Sequence, residues 1–291
     1  MIGRVCAILV GLMGLLCATS AATPRFLISL NLRPGERFVE HRYVSDRTQW
    51  KLPHKRLERF VRAGVIVNEE RHITSIVFAH VTGVRSGVAT LSGQITVTDS
   101  DVARSQERRL RQSFTGLLTS KNEALSGDKP DIEDAVMAGL PTQPLGMGQC
   151  WTTHQTVQTS LGSGTVSIRH CLSARDGALL RFTVSGTGTI TGKEYNLPKL
   201  LPGSIDLTGA AWYDLQQRFV TQESYRIHNR LLKPAEGDYI GFDEILDVDI
   251  SARSYQLGRL QPSVAGPAYA AAKFRNQIAP CSCASLPRST T

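Results

Sequence analysis

From residue 71 to residue 255 the chain keeps returning to a period of two, and that rhythm limits it to strands. Arg71 to Thr82 is rich in β-branched and aromatic residues, and Ile95 to Thr98 alternates apolar with polar. Further strands are expected over Val88 to Thr98, Cys150 to Thr159, Thr165 to Leu172, Ala178 to Thr191, Ser204 to Leu215, Arg218 to Leu232 and Phe242 to Tyr255. Gly83 to Gly87, Leu161 to Gly164, Asp176-Gly177 and Gln216-Gln217 supply turn chemistry between them. Leu197 to Gly203, with two prolines, reads as a loop. Residues 110–125 read as strand, against a competing amphipathic helix over 103–118. The expected fold is all-β and mainly antiparallel: two related halves forming a sandwich or an open, curved half-barrel. A parallel sheet would need helices of adequate length between the strands.

One short helix is expected between the halves. Asp131 to Gly139 follows Pro130, has acids in its first turn and ends on glycine. The chain divides as 1–22, an export leader; 23–130, a first β unit; 131–146, helix and linker; 147–256, a second β unit; and 257–291, a tail rich in Pro, Ala and Ser.

A spaced pattern opens each half. Gly35, Phe38, His41 and Val44 match Gly148, Trp151, His154 and Val157 at an offset of 113 residues (148 − 35). A weaker echo sets Thr115-Gly116 against Thr208-Gly209. Both support an internal duplication.

The leader is read from Arg4, the apolar run Val5 to Ala18 and the small residues Ala18 to Ala22. That run is shorter than the ~20 residues a spanning helix needs. The reading implies a periplasmic or extracellular protein, soluble once the leader is cleaved. Cys17 leaves a lipid anchor as an alternative, although Leu16 before it fits lipoprotein processing poorly. Of six cysteines, Cys6 and Cys17 leave with the leader. An even number outside the cytoplasm favours disulfides. Cys150 and Cys171 flank a predicted hairpin and are expected to pair; Cys281 and Cys283 stay open between a tail disulfide, free thiols and a metal. The net charge of +8 is dispersed apart from Arg104, Arg108, Arg109 and Arg111. With only Phe114 near that run, a solvated basic face is favoured over nucleic acid, leaving an anionic envelope surface as the other option.

Leu140-Pro141 through Pro144-Leu145, then Gly148 and Trp151, resemble the Leu-Pro…Pro-Val…Gly-Asp-x-Trp entry to the second half of an exported, β-rich, duplicated bacterial family of unknown function. Thr208-Gly209-Ala210-Ala211-Trp212-Tyr213-Asp214 is similar to that family's late Gly-x-x-x-x-Asp strand. Gln149 replaces the usual acid, and Cys150 follows it. The resemblance covers roughly 35–255 and implies no activity and no catalytic residues. At the level of fold it is similar to lipoprotein-carrier-like half-barrels, in which a curved sheet wraps an apolar cavity.

No catalytic residue and no cofactor are assigned. His41 and His154 could meet at a metal, with His72, His80, His170 or Glu40 completing it, but no local metal-binding spacing occurs. His41 lies three residues after Phe38, so on a strand it faces the other way, to the wetter side. Asp206, Asp214, Asp243 and Glu244 could pair as acid and base; turn and surface roles are the plainer expectation. Gly186-Thr187-Gly188 lacks the context of a phosphate loop. Trp151 and Trp212 are candidate ligand-binding residues at a cavity mouth, with core packing as the alternative for these and for Trp50. The leading expectation is a non-enzymatic binder of an apolar or amphiphilic ligand, or of an envelope partner, in a sheet concavity lined by 71–82, 88–98 and 178–191. The alternatives are a structural or protein-interaction module, which needs an exposed edge or apolar patch, and a hydrolase, which needs converging polar side chains.

Overall fold

The computed structural model describes residues 24–125, 129–193, 200–235 and 238–255. The leader, Cys17, Cys281, Cys283 and the whole tail lie outside those residues. The fold is all-β and mainly antiparallel. Its elements are β1 (Arg25–Phe26), β2 (Arg37–Lys51), α1 (His54–Arg62), β3 (Asn68–Arg85), β4 (Val88–Asp101), β5 (Gln106–Thr119), α2 (Ile132–Ala135), β6 (Leu145–Gly146), β7 (Cys150–Gln158), β8 (Gly162–Asp176), β9 (Leu179–Lys193), β10 (Leu200–Asp214), β11 (Phe219–Ala235) and β12 (Asp238–Tyr255).

Ten of these strands form one sheet in the order β5-β4-β3-β2-β12-β11-β10-β9-β8-β7. β1 and β6 make a separate small pair. The expected halves therefore share one sheet. β2 and β12 join them through fifteen consecutive residue pairs, from Arg37↔Tyr255 to Lys51↔Gly241. The sheet does not close into a barrel.

Side-chain parity sorts the residues onto two faces. On β2, Phe38, Glu40, Arg42, Val44 and Asp46 are buried while His41, Tyr43 and Arg47 are exposed. On β9, Leu180, Phe182, Val184 and Ile190 are buried while Arg181, Thr183, Ser185, Thr187 and Thr189 are exposed. A sheet with one dry face must curve around something or pack on something. Here the chain's own irregular segments fill the inner side. Ile28 and Leu30 from the N-terminal segment, and Ile132, Ala135, Val136, Met137 and Leu140 from the connection between β5 and β7, all join the buried core. Bending is eased at Gly192 and Gly203, where Leu161 O and Arg230 O leave no room for a Cβ.

The tight turns follow their chemistry. β3 and β4 are joined by Ser86-Gly87, both with positive φ (51° and 76°), which matches the right-handed twist of a hairpin. This places Gly83 to Arg85 inside the strand rather than in the turn. Gly177, with φ 55°, turns β8 into β9 as expected. Residues 106–119 are strand, so the competing helix over 103–118 does not form. β10 begins at Leu200, so Pro202 and Gly203 lie in a strand and not in the expected loop. The expected helix over 131–139 is shorter, Ile132–Ala135. The nine-residue α1 is unanticipated.

Candidate functional site

The inner face carries an unusual load of charge. Glu40 and Asp46 on β2, Glu223 on β11, Glu244 on β12, and Glu133 and Asp134 on α2 are all buried. Against these six carboxylates the buried described residues offer one Lys or Arg, Arg42. Strand parity explains how they meet. Arg42 lies opposite Ile250, which lies opposite Glu223; Asn229 lies opposite Glu244, which lies opposite Thr48. The short helix then brings its acids down onto this stripe.

Arg42 Nη2 pairs with Asp134 Oδ1 at 2.7 Å and with Glu40 Oε1 at 3.1 Å. Burial works against the guanidinium charge, but Asp134, Glu40 and Glu133 outweigh it and raise its pKa further. Arg42 is therefore a permanent cation that latches α2 to β2. The Tyr225 hydroxyl donates to Glu223 Oε2, and burial together with the Glu223 charge holds Tyr225 well above the ordinary tyrosine range. Nearer the ends of β2 and β12, Asn229 Nδ2 donates to Glu244 Oε2 at 2.6 Å, and the Ser160 hydroxyl donates to Glu244 Oε1. Thr48 Oγ1 donates to Asp46 Oδ1 at 3.1 Å. Burial, and then the charge of Asp46, push Glu244 up to about 7. Burial pushes Asp46 up to about 6, with Thr48 and Arg71 opposing. Near neutral pH this part of the cluster holds a proton. Its oxygens face other groups of the same chain.

The segments that plug the inner side, residues 26–30 and 132–140, are held by donors as well as by apolar contact. Buried irregular backbone needs partners for its carbonyls. His170 Nε2 donates to Val136 O at 2.7 Å, Asn122 Nδ2 to Met137 O at 3.1 Å, Trp151 Nε1 to Gly139 O at 3.0 Å, and the Tyr213 hydroxyl to Ser29 O at 2.7 Å. Trp151 also stacks on His170, with ring centroids 4.4 Å apart.

These contacts decide where the sequence candidates sit. Trp151 faces inward against Phe182 and His170. Trp212 is on the outer face under the Arg181 guanidinium. The two tryptophans therefore do not line one cavity. His41 and His154 are both exposed on the outer face, as parity predicts for His41. Six strand steps separate β2 from β7, roughly 29 Å along the sheet, so the two histidines do not share a metal. His72 lies beside Tyr43 (Oη to Nδ1 2.9 Å), His80 is exposed, and His170 and Glu40 face inward. Among the described residues no group of three or more His, Cys, Asp or Glu could hold a metal. Asp206 pairs outside with Arg230, and Asp243 with His228. Asp214 Oδ1 accepts from Gln216 N (2.7 Å) and Gln217 N (3.0 Å), a turn role. Only Glu244 of that set is in the cluster. Gly186 and Thr187 belong to a shallow outer depression lined by Thr152, Ser167, Arg169, Ser185, Asp206 and Thr208. Cys150 and Cys171 form the expected disulfide, directly opposite each other on β7 and β8.

Two further features lie at the surface. β5 is a terminal strand, and Gln106 to Arg111 are all exposed, Leu110 included. The other terminal strand, β7, is partly covered: Asp131 bridges Gln158, whose N donates to Pro130 O at 2.8 Å. α1 stands off the end of β2 with no buried residue. Its signals were in the sequence. Pro53 stops the strand, Leu57, Phe60 and Val61 recur at helical spacing, and Gly64 stops the helix. Among the described residues no helix is long and apolar enough to cross a membrane. No family model matches the chain, and no curated protein matches its sequence significantly.

Proposed function

We propose that this chain is an exported, non-enzymatic interaction module that engages an envelope partner through the open edge of its sheet. The observation that carries the reading is β5. Among the described residues it ends the sheet, and residues 106–111 are exposed and pair on one side only, with β4. An edge strand directs every second N–H and C=O outward and can template another strand. Arg108, Arg109 and Arg111 select against a second copy of the same edge and favour a partner strand bearing carboxylates. The inner face supports this choice by exclusion. The ligand-carrier reading needs an open apolar concavity, and residues 26–30 and 132–140 occupy the inner side. The hydrolase reading needs acids that face a substrate, and the buried acids face their own chain. A duplicated origin draws support from Gly35 and Gly148, with φ 83° and 76°, each ahead of a strand whose aromatic faces inward and whose histidine faces outward.

The test places a photo-crosslinking residue at Arg109 on the edge and, as control, at His154 on the outer face of β7. A partner captured at 109 and not at 154 is expected. Native mass spectrometry of the same protein is expected to give the bare chain mass. Capture at both sites alike overturns the proposal, and an apolar ligand retained one per chain overturns it and restores the carrier.

A further inference from the structure

We propose that the open part of β5 is a slot for a short strand of alternating acidic and apolar residues, supplied by a different protein. This rests on the reading of the edge as the interaction site and says which strand fits it. The chain's own fold sets one end of the slot. Thr119 N donates to Glu123 O and Leu125 N to Leu117 O, both at 2.9 Å, with Ala124 opposite Leu118. Residues 123–125 have thus begun to extend the sheet, and Thr119 N and Leu117 O point away from β4. The β4–β5 register runs from Val88↔Thr119 to Asp101↔Gln106 without a shift, so the other odd-numbered residues of β5 point the same way. Among the described residues, no strand lies beside the outward N–H and C=O groups of Glu107, Arg109, Arg111 and Ser113.

Parity fixes the side chains that an added strand would meet: Arg109 and Arg111 on the outer side, Leu110 on the inner side. Both arginines are exposed, and Arg111 Nη2 donates to the neutral Gln94 Oε1 at 2.6 Å. Leu110 is 41% exposed although Val97 opposite it packs against the core. The fitting strand therefore carries carboxylates on one face and an apolar residue between them on the other. Arginines alone would describe an edge guarded by charge. A leucine left uncovered at the inner face, and an extension already begun at 117–119, describe an edge that accepts one more strand. The terminal segments of this chain do not supply it, because residues 1–22 and 256–291 contain no Asp or Glu. A second copy would bring the arginines of its own β5, or Thr152, His154 and Thr156 from the outer side of β7.

Fluorescence anisotropy of the labelled peptide Thr-Val-Glu-Val-Glu-Val-Thr with the full chain tests this. Its pattern reads the same in both directions and so suits either strand polarity. At about 0.1 M salt, where screening is moderate, it is expected to bind roughly tenfold more tightly than Thr-Val-Lys-Val-Lys-Val-Thr, since two cross-strand attractions become two repulsions. Thr-Ser-Glu-Ser-Glu-Ser-Thr keeps the acids without the apolar face and is expected to bind more weakly than the valine peptide. Arg109→Glu with Arg111→Glu is expected to invert the preference between the acidic and basic peptides; both side chains are exposed, so an unchanged urea midpoint checks the fold. Ser113→Pro deletes an outward N–H and keeps the pairing with β4, so it is expected to weaken binding of every peptide. No measurable binding of the acidic peptide, equal binding of the acidic and basic peptides, or a charge reversal that leaves the preference unchanged overturns the proposal. Capture at residue 109 alongside such a result would keep the edge as the site and remove only the partner strand named here; failure of capture removes the site itself.

Discussion

Arg42 shows how a single side chain can hold this fold. It sits 4% exposed between Glu40 on its own strand and Asp134 on the plug. Removing one member of such a pair leaves a charge buried without its counterion, at a cost of about 3–5 kcal/mol. Arg42→Met is therefore expected to lower the urea unfolding free energy by that amount, and Arg42→Met with Asp134→Asn by less than the sum of the single changes. Trp151 gives a smaller, sharper case. Trp151→Phe keeps a ring against His170 and Phe182 but deletes the donor to Gly139 O. Leaving that carbonyl unmet is expected to cost about 1–3 kcal/mol, read as a lower urea midpoint. A ligand-gripping tryptophan at a cavity mouth would leave the midpoint nearly unchanged.

At the scale of elements, the legible features were the local ones. Ser86-Gly87 and Asp176-Gly177 turn where their chemistry demands, and the outward histidine of each opening strand follows from counting. The plug and the acid stripe were not legible. On β2 the buried parity reads Phe38, Glu40, Arg42, Val44, Asp46, while the other parity holds Val39 and Tyr43. Alternation in hydropathy cannot rank two faces when the dry one holds the charges. The counter-charge of Arg42, Asp134 on α2, and the further acids Glu223 on β11 and Glu244 on β12 lie about 90 to 210 residues downstream and leave no local mark. The four-residue α2 was visible as a helix, but its acids read as an N-terminal charge preference and not as ligands for Arg42. The disulfide was legible because hairpin pairing is local. Joining terminal strand β7 to β8, Cys150–Cys171 is expected to contribute about 2–4 kcal/mol. The double Cys→Ser variant should show it as a lower urea midpoint, with amide exchange in β7 accelerating before that of β11 or β12.

For the whole molecule, the buried acids couple folding to pH. Glu244 and Asp46 bind their protons more tightly folded than unfolded, with folded values of about 7 and about 6. Such groups are neutral in both states at low pH and penalise only the folded state once the pH passes their ordinary values. Their contribution is therefore fully favourable below about pH 4 and is lost as pH rises through 6 to 7. The melting temperature is expected to fall by several degrees between pH 5 and pH 8, and Glu244→Gln should flatten that slope. Asp101 and Asp247, lowered by Arg104 and Arg226, act in the opposite sense below about pH 4, but they lie near the surface and solvent weakens them.

The pairing of β2 with β12 has a temporal consequence. β2, an interior strand of the sheet, is the first long strand of the described residues to be made, and its neighbour β12 is the last of them. Arg37 waits for Tyr255, 218 residues later (255 − 37). Until then the β2–β5 meander has a bare flank, and so does whatever has assembled from β7 to β11. Loop closure over that span makes assembly slow and dominated by contacts distant in sequence. A chain of this design is an obligate late folder. Whatever escorts it through the cell must guard β2 until the last strand arrives, and a ribosome stalled before residue 238 would release a protein with two adhesive flanks in place of one seam.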